Sequence, residues 1–447
     1  MTKKNNEPLL DYQSKEDSPE EVKKLMSTKV SDISKTGFKV KYEEDRGNIY
    51  VPLGSSDIVY TDIYFDVSDM DNAKAISAYK AVADIYSEKL SNDIDYYTGG
   101  FNIEVSTLKG EKGYRPVLLF RIKCLRENIE KSLELFKEVI SQRFDDSDRI
   151  LRLISEARQN IRTAYIESGN LKAVNEALAQ VSSADCWENR ARGTEYYSYL
   201  SSDIEGVKND INSIRSIFKR GNAFYAFACG ESERERISGL IENVISSLDE
   251  GGSKSIIESM AFDISRGIVI DSNVNFNAIA FEMDCSNGIS RVAQQIISRE
   301  YLWDKIRLEG GAYGGGCVFG KKHSYMYSYR DPNLENTFNV FRKAGKYLAE
   351  SKYSQQDIDR FIIGTINEID RPVKKHTLTR IAMRKYFMGE DKELPVKRRE
   401  QILSAKPRDI VNFGNELMKA DMKGICSVGQ EKDIKNCLFF KELYTID

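Results

Sequence analysis

The chain has 447 residues, of which 41% are hydrophobic and 30% are charged, and its formal net charge is -3. This length is too great for a single hydrophobic core and predicts at least two domains. The mixed, nearly balanced charge argues against nucleic-acid binding, and the absence of any apolar run approaching the roughly 18 residues of a membrane span predicts no membrane segment.

The seven cysteines are scattered along the chain and form no Cys-x-x-Cys pair. Such cysteines are typical of reduced, partly buried thiols, so we expect a cytoplasmic protein. Residues 1–21 are polar and lack the apolar core of a signal peptide, which agrees with that expectation.

The first half of the chain begins with a polar segment, residues 1–47, that we interpret as a linker. Ser18 followed by Pro19 predicts a short helix start within it. Beyond it, period-two alternation predicts strands and period-3.6 spacing predicts helices. The strands are expected at 58–68, 103–105, 116–122 and 223–229, and the helices at 72–90, 127–144, within 148–219, and at 232–248.

After Gly251-Gly252-Ser253 a similar order recurs. It comprises a strand at 274–283, a helix at 289–307, a hairpin of 313–320 with 324–330, helices at 334–350, 355–370, 376–389 and 407–421, a strand at 423–428 and a helix from about 431. The pairs Gly99-Gly100 and Gly310-Gly311 occupy the same place in the two orders. The sequence therefore predicts an α+β protein with two homologous domains, 48–250 and 251–447, each an antiparallel-rich sheet packed with helices.

The most informative segment is YLWDKIRLEGGAYGGG, residues 301–316. Its glycines are compatible with a tight strand entry in which Tyr313 packs inward, and Arg307 then serves as the basic last turn of a helix. The alternative is a peptide-binding site in which Arg307 and Tyr313 contact the peptide. In that site the peptide main chain approaches the glycines, namely Gly310, Gly311, Gly314 and Gly315. A phosphate-binding loop is disfavoured because the glycines follow a helix instead of preceding one.

Catalytic motifs are missing from the sequence. The only two histidines, His323 and His376, lie far apart and neither belongs to a helical zinc-protease signature. We therefore predict no metal site on this chain. Cys317 with His323 is a weak candidate for a thiol nucleophile, because nothing in the sequence orients the pair.

Five segments carry a specific resemblance to a known family, and they occur in family order along almost the whole chain. They are EDSPEE (16–21), YYTGGFNIEVST (96–107), YLWDKIRLEGGAYGGG (301–316), YSYRDPNLENTF (327–338) and GTINEIDRP (364–372). On these segments the chain resembles the C-terminal half of the presequence-protease branch of the pitrilysin (insulinase-like) zinc metallopeptidases.

The resemblance implies a peptide-degrading enzyme whose two halves close around a chamber. This chain would supply the end of the hinge, within residues 1–47, and the third and fourth pitrilysin-type (LuxS/metallohydrolase-like) domains. Zinc would lie in the N-terminal half, which would be the partner, and unfolded peptides would be the substrates. Tyr313 would then donate to the scissile carbonyl and Arg307 would bind the substrate main chain. A stand-alone pseudo-peptidase that only binds peptides is the alternative.

Overall fold

Two six-stranded sheets form the framework of the protein. The computed structural model describes residues 28–259, 264–390 and 393–447, and the helix start predicted at Ser18 lies outside these ranges. The strands of the first sheet are β1 Glu43–Asp45, β2 Asn48–Pro52, β3 Ile58–Asp66, β4 Gly100–Lys109, β5 Tyr114–Leu125 and β6 Ala223–Cys229. Those of the second are β7 Arg266–Val269, β8 Phe276–Glu282, β9 Gly314–Val318, β10 His323–Tyr329, β11 Gly424–Gly429 and β12 Glu442–Thr445.

The two sheets share one topology. The strand orders are β1-β2-β6-β3-β5-β4 and β12-β7-β11-β8-β10-β9. In both, five successive strands of the chain take the spatial order first, fifth, second, fourth, third. The first and fifth are parallel and the remaining pairs are antiparallel. The predicted α+β class is therefore confirmed, and the repeated element order is visible as a repeated sheet.

Sixteen α-helices connect these strands within the described residues. They are α1 Ala73–Val82, α2 Glu88–Tyr97, α3 Ile129–Ser141, α4 Ser147–Glu167, α5 Gly169–Leu178, α6 Ser183–Arg192, α7 Thr194–Tyr199, α8 Ile204–Ser213, α9 Arg234–Ser246, α10 Gly288–Ile296, α11 Glu335–Ala349, α12 Gln355–Ile369, α13 Leu378–Phe387, α14 Leu394–Leu403, α15 Pro407–Leu417 and α16 Glu431–Asn436. Both faces of each sheet carry a buried apolar layer, so central strands such as β6 are buried along their whole length.

One helix from each half of the chain packs on the sheet of the other half. Helix α5 covers the second sheet through Ala173, Val174 and Ala177. Helix α13 covers the first sheet through Leu378, Ala382 and Met383. Each is the third helix after the fourth strand of its repeat, so the exchange is reciprocal.

A buried polar contact accompanies this exchange. Thr379 of α13 donates its hydroxyl to Asp62 of β3 at 2.6 Å, and Asp62 also pairs with Arg121 at 3.0 Å. The two halves of the chain therefore share their hydrophobic cores. The predicted boundary near residue 251 separates the strands of the two sheets, but not the helices that cover them, and the division into domains stays a prediction.

The sequence predictions differ from the structure at several elements. The helix predicted at 72–90 is two helices, because Ser87 caps α2 by accepting a hydrogen bond from the Leu90 N–H at 3.4 Å. Residues 43–45, predicted as part of a linker, pair with β2 as a strand. The short strands β2, β7 and β12 and the helix α14 were not predicted, because each is too short or too polar to show a clear period.

Candidate functional site

The segment with the glycine cluster begins as a helix and changes geometry before the glycines. Helix α10 continues as π-helical turns at Ile297–Tyr301 and Trp303–Leu308. Such turns are rare, and they are frequent at functional sites. The wider turn replaces the ordinary spacing of side chains, so the residues that precede the loop point in directions that a regular α-helix would not give them.

The helix ends at a left-handed glycine. Gly311 has φ +78° and its N–H donates to the carbonyl of Arg307 at 3.0 Å. The N–H of Ala312 donates to the carbonyl of Ile306, also at 3.0 Å. The last helical carbonyls are thereby satisfied, and the chain turns sharply into β9.

The Tyr313 ring projects outward from this turn. Its side chain is 67% exposed, and its ring packs edge-on against Tyr329 at a centroid distance of 5.7 Å. Its backbone N–H donates to the carbonyls of Tyr329 and Arg330 at 3.1 and 3.2 Å. The interpretation in which Tyr313 packs inward is therefore wrong, because the backbone is fixed and the ring is left on the surface.

Arg307 lies between two aromatic rings. Its guanidinium carbon is 4.1 Å from the Trp303 ring centroid and 5.7 Å from that of Tyr313. Both distances are within the range of a cation–π interaction. The structure thus brings together the two residues that the sequence singled out. It adds Trp303, which the sequence analysis missed although its i, i+4 spacing to Arg307 would have indicated the contact.

A buried polar cluster holds the loop from below. Asn333 donates its side-chain amide to the carbonyl of Gly310 at 2.6 Å, while its backbone N–H donates to the buried Asp331 carboxylate at 2.9 Å. Asp331 also accepts from Thr337 at 2.7 Å and from Asn277 at 3.3 Å. Each of these donors is a neutral group. The turn after β10 and the glycine loop are consequently one hydrogen-bonded unit, whereas the sequence predicted the strand end, the turn and the following helix start without their link to the glycines.

The outer edge of β9 is partly closed. Ser298 accepts from the Cys317 N–H at 3.2 Å, and Gln294 accepts from the Phe319 N–H at 2.9 Å. Strand β9 is the last strand of its sheet, and backbone groups of alternate residues point to the same side of a strand. The N–H and C=O of Gly315 therefore face the same outer edge, next to the exposed loop and beyond the two side-chain caps.

The thiol of Cys317 is unsuited to nucleophilic chemistry. It is 4% exposed, it lies 3.4 Å from the Ser298 hydroxyl, and burial raises its pKa to about 12. On β10 the residue opposite Cys317 is Met326, and His323 is instead opposite Glu282 of β8. Cys317 and His323 are therefore not cross-strand neighbours. All seven cysteines are buried and free.

Neither a metal-binding cluster nor a membrane-spanning helix occurs in the described ranges. Residues 28–259, 264–390 and 393–447 contain no group of three or more His, Cys, Asp or Glu side chains placed to hold a metal ion. In the same ranges no helix has the length and apolar character needed to cross a membrane. Zinc therefore does not fit the described residues, and we assign no chemical step to a metal held by them.

Solved structures with the same fold include peptidases of one class. The peptidase M16 inactive domain from Pseudomonas fluorescens matches with a TM-score of 0.59 and 13% identity over 88% of this chain and 98% of that chain. Pitrilysin matches with a TM-score of 0.61 and 12% identity over 92% of this chain and 46% of that chain. At this identity the comparison concerns the fold, which is that of one half of an M16 peptidase.

Sequence comparisons narrow the class to one branch. Residues 2–202 match the family described as associated with peptidases of M16 subfamily C, and residues 268–429 match the PreP C-terminal domain. HypA from Clostridium perfringens is 27% identical over 96% of this chain and 47% of its own length. Presequence protease 1 of Arabidopsis thaliana is 24% identical over 94% of this chain and 42% of its own length. Together these matches show that the chain belongs to the presequence-protease-like branch of the M16 peptidase family, and the match to a C-terminal domain shows that it corresponds to the C-terminal half. The chain spans about half the length of these relatives.

Proposed function

We propose that this chain is the half of a zinc metalloendopeptidase that does not bind zinc, and that it degrades unfolded peptides together with an N-terminal zinc-bearing half. That half belongs to the same polypeptide or to a separate subunit. The observation that carries the proposal is the contact between the half-buried Arg307 and the exposed Tyr313, beside a glycine loop that is hydrogen-bonded to Asn333. The family resemblance implies substrate-contacting roles for these two residues.

Tyr313 is assigned to the scissile carbonyl. Its hydroxyl donates a hydrogen bond to the carbonyl oxygen as negative charge develops there, and a fixed donor at that position stabilises the transition state more than the substrate. The ring is exposed while its backbone N–H is anchored to the β10 turn, which leaves the hydroxyl accessible to a substrate. Water is excluded only when the two halves close, so the same contact couples chemistry to closure.

Arg307 is assigned to the substrate main chain. A guanidinium presents several donors in a fixed plane, and Trp303 limits the orientations of that plane by stacking on it. Beside it, the outward N–H and C=O of Gly315 offer one residue of open strand edge for pairing with an extended peptide. The caps on Cys317 and Phe319 limit this pairing to the end of β9 nearest Tyr313.

The absence of side chains at the glycines supports main-chain recognition. A Cβ added at Gly314 would meet no atom within 4 Å, so the space above this residue is open. A peptide can approach the backbone here more closely than it could approach any other residue type. Selection by chamber size and main-chain contacts, and not by side-chain pockets, is the specificity that this arrangement favours.

The proposal is tested by Tyr313→Phe in the enzyme assembled from both halves. We expect turnover of an unstructured peptide to fall roughly tenfold or more with little change in peptide binding, because a transition-state donor is removed. A loss of binding with unchanged turnover would instead support the stand-alone peptide-binding alternative. Chelator-sensitive hydrolysis and stoichiometric zinc in this chain alone would contradict the proposal outright.

A further inference from the structure

A cavity lies among the helices of the first half, away from the glycine loop. It has a volume of about 350 Å³ and is bounded by α1, α4, α5 and the α6–α7 junction. Ser77, Leu153 and Tyr196 are buried lining residues and form its floor. The hydroxyl of Tyr196 is already used, since it donates to the carbonyl of Ser77 at 3.0 Å. None of the residues assigned to peptide binding above lines this cavity.

Three cations converge on the cavity. Lys80, Lys172 and Arg192 line it together with one carboxylate, Glu156. Arg192 is neutralised by an ion pair with Glu188, four residues earlier on α6. Within the described ranges the side-chain ammonium groups of Lys80 and Lys172 form neither an ion pair nor a hydrogen bond. Two lysine charges thus face one carboxylate, and the cavity retains a net positive charge.

Lys172 is the most buried of these cations. Its Nζ lies 4.8 Å from the ring centroid of Tyr165, which is fully buried. The acidic residue of its own helix, Glu176, pairs with Arg266 at 3.3 Å. Burial, followed by the charge of Arg192, lowers the pKa of Lys172 to about 8. At neutral pH a charged ammonium is therefore held at a cost that a bound anion would remove.

An unpaired hydroxyl lies on the same floor. Ser77 is only 2% exposed, and its buried Oγ has no hydrogen-bond partner. Buried polar atoms nearly always form a hydrogen bond, so a buried hydroxyl without a protein partner indicates that a bound water or ligand supplies one. Asn160 adds a side-chain amide at the rim.

From these features we infer that the cavity is a binding site for a small oxyanion, a phosphate or a carboxylate. Lys172 and Lys80 supply the positive charge, and the Ser77 hydroxyl donates a hydrogen bond to one anion oxygen. Charge-assisted hydrogen bonds from two ammonium groups are the recognition expected for such a group. A phosphorylated small molecule and the C-terminal carboxylate of a peptide are the two sources of this chemistry.

The test is a calorimetric titration of the full chain with inorganic phosphate at pH 7. We expect saturable binding at one site that weakens about tenfold or more in Lys172→Met and in Lys80→Met. Lys80 is exposed at the rim, so its variant keeps the test valid if Lys172→Met fails to fold. Lys74→Met, on the same helix but paired with Glu195 outside the cavity, should bind phosphate like the wild type.

Two further experiments test the role of the Lys172 charge and identify the source of the anion. Wild-type affinity should fall as the pH rises through about 8, and Lys172→Arg should retain it, because arginine stays protonated. A short peptide with a free C-terminus that competes with phosphate, where its amidated form does not, identifies a peptide end as the ligand. Competition by neither peptide identifies a phosphate-bearing molecule. Absence of saturable phosphate binding, or equal binding by the wild type and both methionine variants, overturns the inference.

Discussion

The side-chain amide of Asn333 donates to the carbonyl of Gly310 at 2.6 Å and so ties the glycine loop to the turn that follows β10. Twenty-three residues of chain separate the two partners. The loop that carries Tyr313 is consequently fixed from outside itself, by a turn whose own geometry depends on the buried Asp331. The position of the Tyr313 ring therefore depends on residues outside the glycine motif.

Replacing Asn333 by Ala should loosen the loop without unfolding the chain. The change removes the hydrogen bond to Gly310, a contribution of about 1 kcal/mol that is local to the loop. We expect faster amide hydrogen exchange over 310–316 in the isolated chain, measured by mass spectrometry, and lower turnover in the assembled enzyme. Asn336→Ala, at an exposed position two residues into α11, is the matched control and should change neither. Unchanged exchange in the Asn333 variant would show that the glycines fix themselves.

The two glycines Gly311 and Gly314 should respond differently to alanine. Gly311 has φ +78°, where a Cβ costs about 1–2 kcal/mol, so Gly311→Ala should lower the free energy of unfolding by that order and displace Tyr313. Gly314 lies in a strand with open space at its Cβ position, so Gly314→Ala should fold normally. Urea denaturation of both variants measures the difference. Equal destabilisation would contradict the assigned backbone geometry.

Trp303 should act through Arg307. An exposed cation–π contact contributes about 0.5–1 kcal/mol of interaction free energy. Its loss in Trp303→Leu should therefore raise the KM of the assembled enzyme for peptides about two- to fivefold, with a smaller change in kcat. Trp303→Phe keeps a ring beneath the guanidinium and should recover most of the loss. If Phe and Leu behave alike, Trp303 contributes only general apolar surface.

Cys317 should be dispensable for peptide hydrolysis. Its thiol is buried and its raised pKa keeps it protonated at neutral pH, so Cys317→Ala should leave the turnover of the assembled enzyme within about twofold of the wild type. Steady-state kinetics with the same peptide used for Tyr313→Phe provides the comparison. A loss as large as that of the Tyr313 variant would revive the thiol-enzyme hypothesis.

The exchanged helix α5 should couple the two sheets in unfolding. A Cβ at Gly169, the first residue of α5, would lie 2.3 Å from the Phe276 ring of the second sheet. Gly169→Ala should therefore destabilise the chain by about 1–3 kcal/mol while the protein still unfolds in one transition. The control is Gly239→Ala, in the middle of α9 with open space, which should be neutral or stabilising. Separate transitions for the two sheets would contradict the coupling.

By itself the sequence determined the elements that are long and periodic and the repeated order of the two halves. It also singled out Arg307 and Tyr313 as candidate site residues. Strand β3 and helix α11 were predictable because their periods persist over many residues. The motif around Arg307 and Tyr313 was recognisable because glycines at that density are rare outside close approaches of backbone.

Only the tertiary structure decided where each element packs. The exchange of α5 and α13 is invisible to periodicity, because an apolar helix face does not specify which of two similar sheets it will cover. The exposure of Tyr313 likewise depends on Asn333 and Asp331, which belong to the buried polar cluster and not to the glycine motif itself. Hydrogen bonds between segments far apart in sequence carry no local pattern, and such contacts decide how a site is held.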